Sequence, residues 1–460
     1  MRRMLYTAIT LAVLAVPAGA QDIAARADSV LKEAESRGFS GVVRVRKDGR
    51  VVLEKGYGLA NRAKQIAFTP STVVQIGSNT KDFTAIAILQ LKERGLLDLS
   101  DPLSKFFPSA PADKRGITVQ QLLDHRAGFP IGLGPDFDQV TRQQLIDAAM
   151  DFQLLFTPGA RENYSNTGYA LLAAIIEQLS GKSYDEYVRD NILQPLGLKD
   201  TGFLLPGFSE DRLAHGYRAN GEDVATTVLR PHAADGPFWN LRGNGGMLST
   251  VSDMSTFYEA LFETDKLLKP ETRALRFNPR EPVALAGSDL VSSFLYERDP
   301  GARLEIIIAS NTPQWRPPAL RAAIASIMGL EGIGREREVT GPGAGDGPLN
   351  GSPPPPAIEA IIRELVTAIN TGDRAAIRTF IAARFDTSDG QPTVDERLDR
   401  LAPVSGNLGK IEILGMIAPE KGPVRVRVRT AIEGPATLTI DIDRVAPHRI
   451  RRLGILVGGD

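Results

Sequence analysis

Two blocks of strand-like sequence, about 240 residues apart, bracket a long helical stretch. The first runs from Gly41 to Asn61, where Val43, Val45, Val51 and Leu53 alternate with polar residues around Asp48-Gly49. Asp-Gly between alternating apolar runs is a two-residue hairpin signal. The second is Leu304–Ser310, whose Ile306-Ile307-Ile308 core reads as a strand buried on both faces. Between them, apolar spacing predicts helices at 85–94, 119–125, 142–152, 166–179 and 184–191. A further helix is expected at 318–330. Strands at both ends of a helical block imply one domain whose sheet is built from both ends of that segment.

The chemistry is concentrated where the early strand region meets the first of those helices, at Gly77-Ser78-Asn79-Thr80-Lys81. Residues three apart share one helix face. A serine in a first helical turn sits among unpaired amides whose partial positive charge favours an alkoxide and opposes lysine protonation. A serine needs a base to become a nucleophile, and a lysine of depressed pKa can be that base. The spacing by itself is weak, because Ser29-Val30-Leu31-Lys32 repeats it on an ordinary polar helix. The Gly before Ser78 and the apolar positions Phe83, Ile86, Leu89 and Leu91 after it distinguish the second occurrence as the start of a buried helix. Tyr164-Ser165-Asn166 follows 86 residues after Ser78 and is the one Tyr-x-Asn of the chain. A phenol near an amine can share base duty, and an Asn amide can hold a substrate carbonyl.

These motifs, with Leu122–Pro130, Leu193–Leu198 and Arg242–Thr250, make residues 23–333 resemble the serine β-lactamase and penicillin-binding-protein superfamily, in its class C β-lactamase, DD-peptidase and esterase branch. The resemblance implies an α/β (α+β) β-lactamase/transpeptidase-like fold: an antiparallel sheet flanked by helices, plus a helical subdomain. It also implies that Ser78 is acylated, that Lys81 and Tyr164 move protons, and that Asn166 positions substrate. The family's third motif puts Lys or His, any residue, then Gly on an inner strand beside the nucleophile. Here that strand is expected at Val283–Leu290, and the basic position falls on Ala284 or Leu285, neither of which carries charge. The oxyanion hole uses backbone amides, so it can survive as Ser78 N–H with the N–H of Gly287 or Ser288.

Composition bounds the rest. The length of 460 residues suggests at least two domains. The formal net charge of −1 leaves no basic surplus for a nucleic-acid partner. With no cysteine, disulfides and thiol chemistry are excluded. The four histidines form no zinc-hydrolase pattern, Gly-x-Ser-x-Gly is absent, and no cofactor or metal is expected. Residues 1–20, with Arg2-Arg3, an apolar run and Ala18-Gly19-Ala20, read as a secretory leader directing the chain to the periplasm or outside, with no membrane span once it is removed. The hydrolase domain is then 21–334. A Gly/Pro-rich linker occupies 335–356, ending in four prolines. A small α+β unit of cystatin-like or NTF2-like pattern fills 357–460. In it Val424–Arg429 alternates strictly, giving an arginine row that reads as a solvated face.

The expected function is an exported serine hydrolase acting through an acyl-enzyme on a small ester or amide. The alternatives are a non-catalytic or acyl-trapping binding protein of the same fold, or a scaffold whose C-terminal unit is the functional part. His125 is expected to be structural, and Trp239 to line either the cleft or the core.

Overall fold

A computed structural model describes residues 18–134, 136–203, 207–217, 223–225, 238–288, 292–311, 353–387 and 410–418, then 424–430 and 434–457, with short runs between 393 and 404. The expected helix 318–330, most of the linker and the body of the leader lie outside these residues. Among the described residues no helix is long and apolar enough to cross a membrane.

Helix α1 (Ala18–Ser36) precedes the hairpin of β1 (Gly41–Lys47) and β2 (Arg50–Tyr57). The second block supplies β3 (Val283–Ser288), β4 (Ser293–Asp299) and β5 (Leu304–Ser310). They form one antiparallel sheet in the order β2-β1-β5-β4-β3. Val43 lies opposite Ile308 and Val45 opposite Ile306, so the two blocks meet in the centre. Every residue of β5 is buried, as its unbroken apolar run requires.

The position of β3 departs from expectation. It is the edge strand of the described sheet rather than an inner one, with β4 as its ladder neighbour. Its core-facing side packs directly against the Gly77–Asn79 turn at Gly287.

That turn leads directly into helix α2 (Thr80–Glu93). All residues of α2 from Thr80 to Leu91 are buried, because other helices pack around it on every side. They include α4 (Asn166–Ser180) and α5 (Val251–Glu263), while α3 (Arg142–Asp151) packs on α4. Phe83 stacks on Phe257 of α5 at 3.9 Å between ring centroids. Each fully buried Phe, Ile or Leu here contributes about 1.5–3 kcal/mol of burial free energy. The helix is therefore a rigid mount for its own first turn.

Helix α4 begins at a Ser165 cap, whose side chain accepts from the Gly168 amide, and stops at Gly181 in left-handed conformation. The helix expected over 184–191 covers Tyr184–Val188 and then widens into a π-helical turn at Arg189–Leu193. By contrast, Ser29 is exposed on α1 and Lys32 pairs with Asp28 at 3.1 Å. That Ser-Lys pair is an ordinary helix surface.

The C-terminal unit has its own core. Helices α6 (Pro356–Thr371) and α7 (Arg374–Arg384) accompany a four-stranded antiparallel sheet in sequential order. Its strands are β6 (Ile411–Ile417), β7 (Val424–Thr430), β8 (Gly434–Ile442) and β9 (Ile450–Val457). Val424, Val426 and Val428 are buried against Ile362, Leu365 and Ile369. Arg425 and Arg429 are exposed on the opposite face, and Arg429 reaches Glu412 at 3.2 Å.

Candidate active site

Four of the side chains singled out by sequence converge at the start of α2. Lys81 Nζ lies 3.3 Å from Ser78 Oγ, and Tyr164 donates its hydroxyl to the same oxygen at 2.6 Å. Lys81 also donates to Asn166 Oδ1 at 2.8 Å and to the carbonyl oxygen of Asn244 at 2.7 Å. An ammonium has three donors and no acceptor, and here each donor has an acceptor. A neutral amine has two hydrogens. Asn244 O can only accept, and Asn166 presents its oxygen, so these two hold the hydrogens and the lone pair is left facing Ser78 Oγ.

Burial makes the neutral amine accessible. Lys81 is 6% exposed, and desolvation depresses its pKa to about 7, against the opposing pull of Asp82 and Asp136. Burial raises Tyr164 to about 12, so its phenol stays protonated at neutral pH. Its hydrogen is directed at Ser78 Oγ. The Lys81 ammonium position lies 4.6 Å from the Tyr164 ring centroid.

His125 is structural, as expected. Its Nδ1 accepts from the Ser165 amide at 3.1 Å and its ring lies 4.6 Å from that of Tyr164. Burial, with the nearby charges of Lys81 and Arg276, pushes its pKa down to about 3, so it is a neutral brace for the Tyr164–Asn166 segment. Trp239 is 1% exposed, buried in the core beneath the Arg242 guanidinium at 4.7 Å.

Gly287 and Ser288 lie on β3 against the nucleophile turn. A Cβ added to Gly287 would stand 2.0 Å from Ile76 O and 2.6 Å from Ser78 N. A Cβ on Gly77, which has φ +49°, would stand 2.7 Å from Ser288 N. Only two glycines allow the turn and the strand to approach this closely. The approach brings the Ser78 amide nitrogen against Gly287 and the Ser288 amide nitrogen against Gly77. Strand alternation puts Val283, Leu285 and Gly287 on the face toward the main core, where Val283 and Leu285 pack. The residue two before the glycine is therefore Leu285, and Ala284 points away, exposed. The family's cationic position is filled by a hydrocarbon.

Sequence reasoning missed Asn244, Asn79, Asp82, Tyr258 and Arg276. Asn244 contributes through its backbone carbonyl, which no residue type announces, although it lies in the quoted Arg242–Thr250 segment. Asp82 is buried, accepts from Tyr258 and has its pKa raised to about 6 by desolvation. Among the described residues no group of three or more His, Asp or Glu is arranged to hold a metal ion.

Residues 23–291, more than half of the chain, match the family described as Beta-lactamase. The chain belongs to the Beta-lactamase family. Its curated relatives include penicillin-binding proteins. It is 29% identical over 249 residues to Penicillin-binding protein 4* of Bacillus subtilis, covering 51% of this chain and 55% of that protein. It is 36% identical over 184 residues to Protein flp of Staphylococcus aureus, covering 38% and 37% respectively. The chain thus spans at most about half the length of these curated relatives. The Beta-lactamase fold is also seen in FmtA from Staphylococcus aureus, with TM-score 0.58 and 23% identity over 66% of this chain and 89% of that one. A class C beta lactamase from Rhodobacter sphaeroides gives TM-score 0.54 and 23% identity over 67% and 98%. The Beta-lactamase match ends before the C-terminal unit begins.

Proposed function

We propose that the chain is an exported hydrolase that forms an acyl-enzyme on Ser78 and acts on a small, uncharged ester or amide, with weak activity on β-lactams. The observation that carries this reading is Lys81 Nζ, held by Asn166 and Asn244 with its third direction on Ser78 Oγ. Export rests on the leader pattern of residues 1–20.

In the proposed reaction neutral Lys81 takes the Ser78 hydroxyl proton as Oγ bonds to the substrate carbonyl carbon. The carbonyl oxygen becomes an anion between the amides of Ser78 and Ser288. Collapse breaks the bond to the leaving group, which takes the Tyr164 phenolic proton. The resulting tyrosinate regains a proton from the Lys81 ammonium, a downhill transfer from a group near 7 to one near 12. Water then attacks the acyl carbonyl carbon and gives a proton to neutral Lys81; collapse breaks the bond to Ser78 Oγ, which takes that proton back from the Lys81 ammonium as the acid leaves. Leu285 offers no charge to a substrate carboxylate, which disfavours the anionic substrates that the names of the relatives suggest.

An activated fluorophosphonate tests the assignment. Ser78 is expected to be labelled, with labelling abolished in Ser78→Ala and strongly slowed in Lys81→Ala. Equal labelling of wild type and Ser78→Ala would sink the reading. Leu285 also favours a second reading, an acyl-trapping protein. That protein would label at Ser78 but release no second equivalent of product from a chromogenic ester.

A further inference from the structure

Strand β3 is laddered to β4 on one side. Its core-facing side packs against the nucleophile turn, and the Asn79 side chain of that turn reaches its backbone. Asn79 Nδ2 donates to Leu285 O at 3.3 Å and to Tyr258 OH at 2.7 Å. Tyr258 passes its own hydrogen to Asp82 Oδ2 at 2.8 Å. The direction of this chain is forced. A backbone carbonyl only accepts, so Asn79 must turn its nitrogen to β3. The phenol has one hydrogen, which goes to the carboxylate.

The chain is rigid at each end. Asn79 is 2% exposed and Tyr258 fully buried. The Tyr258 ring stacks on Tyr296 at 3.8 Å, and Tyr296 is the cross-strand partner of Leu285. Asp82 follows Lys81 directly on α2, so the clasp joins α2, α5 and the β3–β4 pair at the point where Ser288 faces Ser78. Asn79 Oδ1 has no hydrogen-bond partner among the described residues and lies 2.6 Å from where a Gly287 Cβ would be. The amide is thus wedged against β3 at both Leu285 and Gly287.

We propose that Asn79 and Tyr258 are positioning residues that set the separation of the Ser78 and Ser288 amides, and so act on the oxyanion through β3 without touching substrate. This rests on the reading of Ser78 as the acylated nucleophile. Oxyanion donors work only within about 2.7–3.1 Å of the developing charge, so a shift of about 1 Å in β3 would take one of them out of range.

Tyr258→Phe in the full chain is the direct test, because it keeps the ring stack and removes the link to Asn79 and Asp82. Three quantities are measured: kcat and KM for a neutral nitrophenyl ester, and the inhibition constant of an arylboronic acid, whose tetrahedral Ser78 adduct probes the hole. The expected result is kcat about tenfold lower, KM within twofold, and boronate inhibition weakened by about the same factor as kcat. Asn79→Ala is expected to do the same and serves if Tyr258→Phe does not fold. A lowered kcat with unchanged boronate affinity, or both quantities within twofold of wild type, overturns the inference alone. A wild type that no fluorophosphonate labels overturns the reading of Ser78, and this inference with it.

Discussion

The hydroxyl of Tyr164 lies 2.6 Å from Ser78 Oγ, closer than the 3.3 Å of Lys81 to the same atom. Distance alone would make the phenol the base. Protonation reverses that ranking, since burial leaves Tyr164 titrating near 12 and Lys81 near 7. In the proposed reaction the nearer group donates a proton and the farther one accepts it.

This division of labour predicts different leaving-group dependence. Lys81→Ala should reduce acylation about 10²–10⁴-fold for every ester, because the base is gone. Tyr164→Phe should cost an alkyl ester about 10²-fold and a nitrophenyl ester much less, since nitrophenolate leaves without a proton. Stopped-flow acylation rates with the two esters separate the roles, and an equal loss for both in Tyr164→Phe would contradict them.

Activity should rise with pH through an acid limb near 7. Lys81 cannot accept a proton while it is an ammonium, so kcat/KM falls tenfold per unit below its pKa. His125, pushed down to about 3, is not the source of the limb. The acids acting on Lys81 are Asp82 and Asp136, and both hold its pKa up; His125, Tyr164 and Tyr169 face it uncharged. Asp82→Asn should therefore move the limb to lower pH. A kcat/KM profile of both proteins measures this, and a limb moving upward would refute the assignment.

Charge preference should follow Leu285. A charge-assisted hydrogen bond contributes about 1.5–3 kcal/mol, so Leu285→Lys should raise kcat/KM for an anionic substrate by roughly one to two powers of ten relative to a neutral ester. The wild type should hydrolyse a cephalosporin poorly beside a neutral nitrophenyl ester. Efficient cephalosporin turnover by the wild type would mean that another residue supplies the cation.

Gly287→Ala should separate the turn from the strand. Its Cβ would meet Ile76 O at 2.0 Å and Ser78 N at 2.6 Å, both backbone atoms that cannot swing aside. Overpacking of this kind costs about 1–3 kcal/mol, and the two amides would part. The expected outcome is a lower melting temperature together with loss of fluorophosphonate labelling, read by calorimetry and mass spectrometry.

Much of this architecture was legible in residues. Asp48-Gly49 set the hairpin, and the unbroken Ile306–Ile308 run marked a strand buried on both faces. The strand β7 appeared where the Val424–Arg429 alternation marked it, and Ser165 capped the helix that the Tyr164 segment opens. The edge position of β3 was not legible, because an apolar strand packed against a turn has the same composition as one packed between strands. Nor was the clasp, since Asn79 and Tyr258 are 179 residues apart and neither stands in a pattern that names the other.

Residue order alone was enough to put Ser78 beside Lys81, because three-residue spacing across a helical turn is a local property of the backbone. It also determined that the usual cation is missing, since neither register of Val283–Leu290 supplies one. What the fold adds, on the proposed reaction, is which member of the Ser78 trio acts as the base. That depends on desolvation of Lys81 by helices packed from distant parts of the chain. It depends equally on acceptors 85 and 163 residues away that aim the lysine at Ser78. Spacing reports neighbours along the chain, whereas pKa and orientation report neighbours in space.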